Sequence, residues 1–275
     1  MTLRKRTLLI IGVTLIFLIA ILFVLSQGIF MKSVIELEKK DTSQNVERAL
    51  GALSNDIANI ETSISDWSPW NDTYAFVEDV NEAYITSNLI DTTFVNLGLN
   101  LMLFINSSGE VVFGKSFDLQ NEQEVPVPQS IEEHLSAGSP LVYYTDTESR
   151  ISGIVLLDEG PMLIASHPIL TSEHEGPIRG ALIMGRYLDS TEIEMLAETT
   201  RLSLVVQRLD EPQIPSDFEL ARSSLSDGES IFIRPIDGDS IAGYAVLKDV
   251  YGAPILLLRA DMPRDIYHQG QTSML

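Results

Sequence analysis

The sequence predicts an α+β protein tied to a membrane by its first helix, and three observations carry that prediction. A basic tip of Arg4, Lys5 and Arg6 precedes an uncharged run from Thr7 to Leu25. One apolar stripe at helical spacing then extends as far as Trp67. From Leu99 the pattern changes to strand-length apolar runs broken by Gly, Pro, Asn and Asp.

A run of about twenty apolar residues at 1.5 Å rise crosses a hydrocarbon core about 30 Å thick. Residues 7–27 are therefore read as a transmembrane anchor and 1–6 as a cytoplasmic tip, since basic residues stay inside. The rest is exported. A cleaved signal peptide competes, with Ser26-Gln27-Gly28 as a tolerable cleavage site. The run exceeds the usual 7–15-residue signal core, which favours an uncleaved anchor. No second span of similar length is visible, so the chain is expected to be single-pass.

The chain has 275 residues, 39 acidic against 18 basic, for a net charge of −21. Three of those basic residues lie in the tip, so the exported part is more acidic still. Such a field repels phosphate backbones and excludes a nucleic-acid partner. There is no cysteine, hence no disulfide and no thiolate chemistry. The four histidines (His134, His167, His174, His268) are scattered without metal-ligand spacing. No metal and no cofactor is expected. Ser166-His167 is not a nucleophile–base pair, because adjacent strand residues point to opposite faces. No catalytic residue is assigned.

Residues 28–66 read as one long helix. Val46, Leu50, Leu53, Ile57, Ile60, Ile64 and Trp67 alternate spacings of four and three, which draws one apolar face. The same seam could pair two subunits, and a homodimer is expected. Ser68 is suited to cap a second helix, with Pro69 at its first position. Leu99 to Ile105 and Val111 to Phe113 form a hairpin about Asn106-Ser107-Ser108-Gly109. Glu122 to Pro128 reads as loop. Ser130 begins a short helix with capping-box spacing. Ile151 to Leu157 and Met162 to Ile169 make a second hairpin, and Ala181 to Tyr187 a fifth strand. A long helix, two strands, a helix and three strands is the wiring of a PAS-like sheet. Asp189 caps a helix reaching about Thr199. Strands at Leu202 to Val206, Ser230 to Pro235, Ile241 to Leu247 and Ile255 to Ala260 build a smaller sheet. The expected divisions are 67–188 as a membrane-distal module, 189–264 as a membrane-proximal one, and 265–275 as a linker.

The segment Asp66-Trp67-Ser68-Pro69-Trp70-Asn71-Asp72-Thr73-Tyr74-Ala75-Phe76 holds both tryptophans. Aromatic rings beside a few fixed polar groups line small-molecule pockets, so Trp67, Trp70, Asp72 and Tyr74 are candidate ligand-binding residues. The plainer reading is a packed core anchor. Arg186, at the end of a strand, is the fifth candidate. It could pair with Asp72 or offer its planar fork to a carboxylate ligand, or serve as an ordinary ion pair.

This segment resembles the signature of the fourth class of CHASE domains, which are extracytoplasmic sensor modules. Trp67, Trp70, Asp72, Thr73, Tyr74 and Phe76 match it, while Asn71 stands where an acid is usual. The likeness continues through Asn88-Leu89, the hairpin from Ile105 to Val111, and Ser166-His167-Pro168-Ile169. It also takes in Gly176-Pro177-Ile178-Arg179-Gly180, Gly185-Arg186-Tyr187-Leu188 and Pro263-Arg264. The resemblance implies a double-Cache-like pair of sheets lying between two membrane helices, and a histidine kinase, diguanylate cyclase or phosphodiesterase as output. It implies no particular ligand. It also implies a second membrane helix beyond this chain, which would then be a fragment or a shortened product. The function expected is therefore ligand sensing outside the cell for a membrane receptor. A stand-alone anchored binding protein without signalling output is the alternative.

Overall fold

The computed structural model describes residues 3–136, 138–226 and 230–274. Met1 and Thr2 of the expected tip, and Leu275 of the expected linker, lie outside them. The chain has no proline before Pro69, and α1 (Leu3–Trp67) runs unbroken through the expected anchor and the expected long helix. At 1.5 Å per residue it is roughly 100 Å long. Its lower part exposes apolar side chains from Leu8 to Leu25. Among the described residues this one helix is long and apolar enough to cross a membrane. Higher up, Val46, Leu53, Ile60 and Ile64 are buried, with Leu50, Ile57 and Trp67 packed beside them. The stripe read from the sequence is the face that enters the core. Glu38 and Thr42 are buried below it.

The cap expected at Ser68 does not form. Its N–H still bonds the Ile64 carbonyl at 2.9 Å, so Ser68 closes α1 rather than opening the next helix. Trp70 takes the N-cap position of α2 (Asn71–Asp79), without a side-chain cap bond. Two further helices follow that the sequence pattern did not reveal. They are α3 (Glu82–Asn88), capped by the Asn81 side chain, and α4 (Asp91–Leu97), closed by Gly98 in the left-handed region.

The first sheet contains β1 (Leu101–Asn106), β2 (Val111–Asp118), β3 (Gln123–Val125), β4 (Ile151–Leu157), β5 (Gly160–Pro168) and β6 (Gly180–Tyr187). Their spatial order is β3-β2-β1-β6-β5-β4, antiparallel throughout. The last strand thus inserts beside the first. One face of this sheet, with Met102, Phe104, Leu163 and Leu182, packs on α1 to α4. The other, with Leu103, Ile105, Ile164 and Ile183, lies beneath Ile131, Leu141 and Val142. Burial on both faces explains why the central strands are almost continuously apolar rather than alternating.

Two readings of this region need correction. Residues 123–125, expected as loop, pair with β2 as a short edge strand. The helix expected from Ser130 is a 3₁₀ segment, Gln129–Leu135, without a side-chain cap. The Ser130 hydroxyl instead donates to Glu159.

Next comes α5 (Ser190–Thr200), capped by Asp189 as read from the sequence. It leads to a second antiparallel sheet of β7 (Ser203–Arg208), β8 (Phe232–Pro235), β9 (Ser240–Lys248) and β10 (Pro254–Pro263), in the order β7-β10-β9-β8. One face packs on α1; the other is covered by α6 (Ser216–Ser226) through Phe218, Ala221 and Leu225. Finally α7 (Asp265–Thr272) lies along α1, with Gly270 so close to Val34 that a Cβ would meet it at 2.7 Å. A single helix therefore touches both sheets and the end of the chain.

Candidate functional site

The aromatic segment is a packed joint. Trp67 and Trp70 meet edge to face at 6.2 Å, and Trp70 leans on Tyr84 at 6.0 Å. Tyr84 stacks on Phe76, which in turn meets Phe104 of β1. Thr73 and Tyr84 share a hydroxyl hydrogen bond of 2.7 Å. Burial pushes the Tyr84 hydroxyl up to about 12. Polar bonds then tie the segment to the loop after β5. The Asn71 side chain accepts from Ser172 N–H at 3.0 Å, and Leu170 N–H donates to the Ser68 carbonyl. Here the amide at position 71 does structural work that requires no charge. The Tyr74 hydroxyl donates to the Pro177 carbonyl, while Arg179 stacks over the Tyr74 ring at 3.8 Å and pairs with Glu78.

Asp72 is exposed and, among the described residues, makes no hydrogen bond or ion pair. It borders a depression of about 270 Å³ with Asn81, Tyr84, Ser87 and Asn88. The rings of Trp67, Trp70 and Tyr74 do not line that depression.

Arg186 is placed elsewhere and makes no pair with Asp72. Its guanidinium donates to the carbonyls of Gly98 and Leu97, at the C-terminus of α4, and to Glu192 of α5 at 3.3 Å. Each of its three nitrogens donates one bond, which uses three of the five N–H groups and holds the guanidinium in place. Its charge meets the partial negative charge of a helix end, where cations are favoured. Gly98 is required for this approach. It sits at φ +62°, and a Cβ would lie 2.9 Å from the Arg186 Nη2.

Beside Arg186 opens a cleft of about 520 Å³, between the turn after β2 and the first turns of α5. That volume falls within the range of small-molecule sites, about 300–1,000 Å³. Asn100 shapes its floor: its Nδ2 donates to the Phe117 carbonyl and its Oδ1 accepts from Tyr187 N–H, joining β2 to β6. Gln120 spans it to Thr191 at 2.9 Å. Phe117, Leu119, Val125 and Met195 supply apolar wall.

Three acids border this cleft. Asp118 accepts from the N–H groups of Gln120 and Asn121 and from the Asn121 amide, which hold its carboxyl below the usual range. Asp189 uses one oxygen to cap α5. Glu192 is only 4% exposed, and burial raises its pKa, with Arg186 opposing and Asp56 of α1 adding to the rise. Burial likewise raises Asp56. Tyr187, pushed up to about 12 by burial and then by Glu159, stays a neutral phenol. Of these groups only Arg186 was a candidate site residue in the sequence; Asp189 was read there as a helix cap and Tyr187 as the end of a strand. The bond of Glu192 to Arg186 depends on how β6 meets α5.

The serine–histidine pair behaves as strand geometry requires. The Ser166 hydroxyl donates to the Leu141 carbonyl at 2.6 Å on one face. The imidazole of His167 is buried with no hydrogen-bond partner on either nitrogen. No group of three or more potential metal ligands occurs among the described residues.

Comparison with known proteins completes the picture. A CHASE4 domain model matches residues 52–207. The methanogenesis regulatory histidine kinase FilI of Methanothrix harundinacea (strain 6Ac) is 32% identical over 270 residues, or 98% of this chain. The chain spans 30% of the length of that relative. Among solved structures, an extracellular domain assigned to the histidine kinase vpHK1S-Z8 superposes with a TM-score of 0.53 at 16% identity. That match covers 88% of this chain and 96% of the other. A domain assigned to a sensory box/GGDEF family protein of Vibrio parahaemolyticus gives a TM-score of 0.53 at 16% identity, covering 86% and 99%. These two likenesses concern the fold.

Proposed function

We propose, from the premise that this chain belongs to the CHASE4 domain family and is a sensory region, that it serves as the extracytoplasmic ligand-binding part of a longer membrane receptor. A histidine kinase or diguanylate cyclase output is part of that reading. The observation that carries it is the continuity of α1. The same helix has an apolar, exposed lower half suited to a membrane and an upper half built into the core beneath both sheets.

The cleft beside Arg186 is the ligand site in this reading. Its α5 wall packs against α1, and Asp56 of α1 feels the charge of Arg186. A ligand that draws the 118–125 turn towards α5 would reposition α5 on α1. The buried pair between Glu38 and Arg264 and the contact between Gly270 and Val34 would carry the shift to α7. Such coupling requires different affinity for two arrangements, typically worth about 1–3 kcal/mol. Trp67, Trp70 and Tyr74 act as the joint fixing the top of α1. Asp72 and its smaller depression form a second place for a ligand. Two copies would pair along α1, where Phe30 and Leu37 are large, apolar and exposed.

Topology is directly testable because the chain lacks cysteine. A membrane-impermeant maleimide should label Glu173→Cys in intact cells, and Lys5→Cys only after permeabilisation. Labelling of Lys5→Cys in intact cells, with Glu173→Cys protected, would reverse the orientation and end the proposal.

A further inference from the structure

We propose that Asn106, at the tip of the β1–β2 hairpin, is the acceptor of an N-linked glycan on the outer side of the membrane. The modification goes beyond ligand sensing and needs of it only that the sheets are exported.

The chain holds two Asn-X-Ser/Thr triplets, Asn71-Asp72-Thr73 and Asn106-Ser107-Ser108, neither with proline in the middle. Such triplets are acceptors where they lie on the surface of an exported protein. Folding treats the two oppositely. The Asn71 Oδ1 accepts from Ser172 N–H, and the Asn71 N–H donates to the Ser172 hydroxyl. Thr73 is fully buried, with its hydroxyl shared with Tyr84. That triplet is closed in the folded chain.

The second triplet is open. Ser107 and Ser108 are exposed. The Asn106 Oδ1 accepts from the N–H groups of Ser108 at 2.9 Å and Glu110 at 3.0 Å. Gly109, at φ +84°, returns its N–H to the Asn106 carbonyl. All these bonds close within five residues, so the turn forms independently of the rest of the fold. They fix the amide oxygen and leave the nitrogen with one exposed bond, to Glu110 Oε2 at 3.2 Å. The Ser108 hydroxyl makes no hydrogen bond among the described residues. An aspartate at 106 would hold the same turn, which therefore requires neither the amide nitrogen nor that hydroxyl. Those are the two groups an acceptor triplet supplies.

Position favours the same assignment. Asn106 pairs with Gly180 at the far end of β1 from Asn100, six residues or about 20 Å away. A glycan there leaves the cleft beside Arg186 open. In the transfer, the Asn106 Nδ2 bonds to the anomeric carbon of a lipid-phosphate-linked oligosaccharide. The bond from that carbon to the phosphate oxygen breaks, and the lipid phosphate leaves with its electron pair. One amide hydrogen passes to a base of the transferase, and no oxidant or reductant is needed.

The test is mass spectrometry of the full chain from membranes of the organism that makes it, digested so that positions 71 and 106 separate. The peptide with Asn106 should carry an added oligosaccharide mass, and the peptide with Asn71 none. Asn106→Asp and Ser108→Ala should each abolish the addition, while Ser108→Thr keeps it. Asn106→Asp retains the oxygen that holds the turn, so its loss of the glycan is not a loss of fold. A bare Asn106 in cells where the impermeant maleimide labels Glu173→Cys would end the inference and leave the sensing role standing. A bare Asn106 with Glu173→Cys protected would overturn both. An addition that survives Ser108→Ala, or one found on Asn71 with Asn106 bare, would also overturn the assignment.

Discussion

His167 shows how one side chain can set the acid limit of this fold. Its ring is 1% exposed, and burial, aided by the nearby positive charge of Arg150, lowers its pKa to about 4. In the unfolded chain a histidine titrates near 6.5. Above that value both states are neutral and the fold has its full stability. Between pH 6.5 and 4 only the unfolded chain takes up the proton, so stability falls with pH across this window, by up to about 3 kcal/mol. His167→Leu should remove that part of the dependence. Urea unfolding followed by tryptophan fluorescence should find the variant gaining on the wild type between pH 7.5 and pH 4.5. An unchanged difference between the two at both values would contradict the assignment. At the same scale, Arg186 shows why the site was only partly legible. Its partners Leu97 and Gly98 lie almost ninety residues earlier, and only the closed sheet brings them together.

At the scale of elements, the link between α1 and the end of β10 carries most of the mechanical weight. Arg264 makes two bonds to the Glu38 carboxylate, at 3.2 and 3.0 Å, with both residues buried. Arg264 also stacks on Tyr267 of α7. Removing one partner of such a pair leaves an uncompensated buried charge, so Glu38→Gln should destabilise by about 3–5 kcal/mol. Replacing both residues with methionine should recover most of that loss in urea unfolding. Equal destabilisation by the single and double variants would show that the pair is not the link. The sequence pattern revealed the strands because both faces of the first sheet are buried and their runs are apolar. It missed α3, α4, α6 and α7, which are only 7 to 11 residues long. It also missed β3, a polar edge strand of three residues that pairs only with β2.

Over the whole molecule, α1 is the shared spine: membrane segment, core helix and neighbour of α7 at once. Two sheets with separate outer faces meet on it. The family likeness was legible in eleven residues around Trp67 and Trp70. The structure gives those rings a packing role at the top of the spine, while the larger opening lies lower, beside Arg186. Rings predict a pocket only where something leaves space next to them, and here Trp67 and Trp70 pack on each other and Trp70 leans on Tyr84. The most direct test is a thermal-shift screen of the full chain against a metabolite library, run in parallel on the wild type and on Met195→Trp, which fills the mouth of the cleft from an exposed position. Compounds that raise the melting temperature of the wild type should lose that effect in Met195→Trp, since only bound ligand stabilises by mass action. Compounds that stabilise both proteins equally would contradict the account and place detection somewhere else on the molecule.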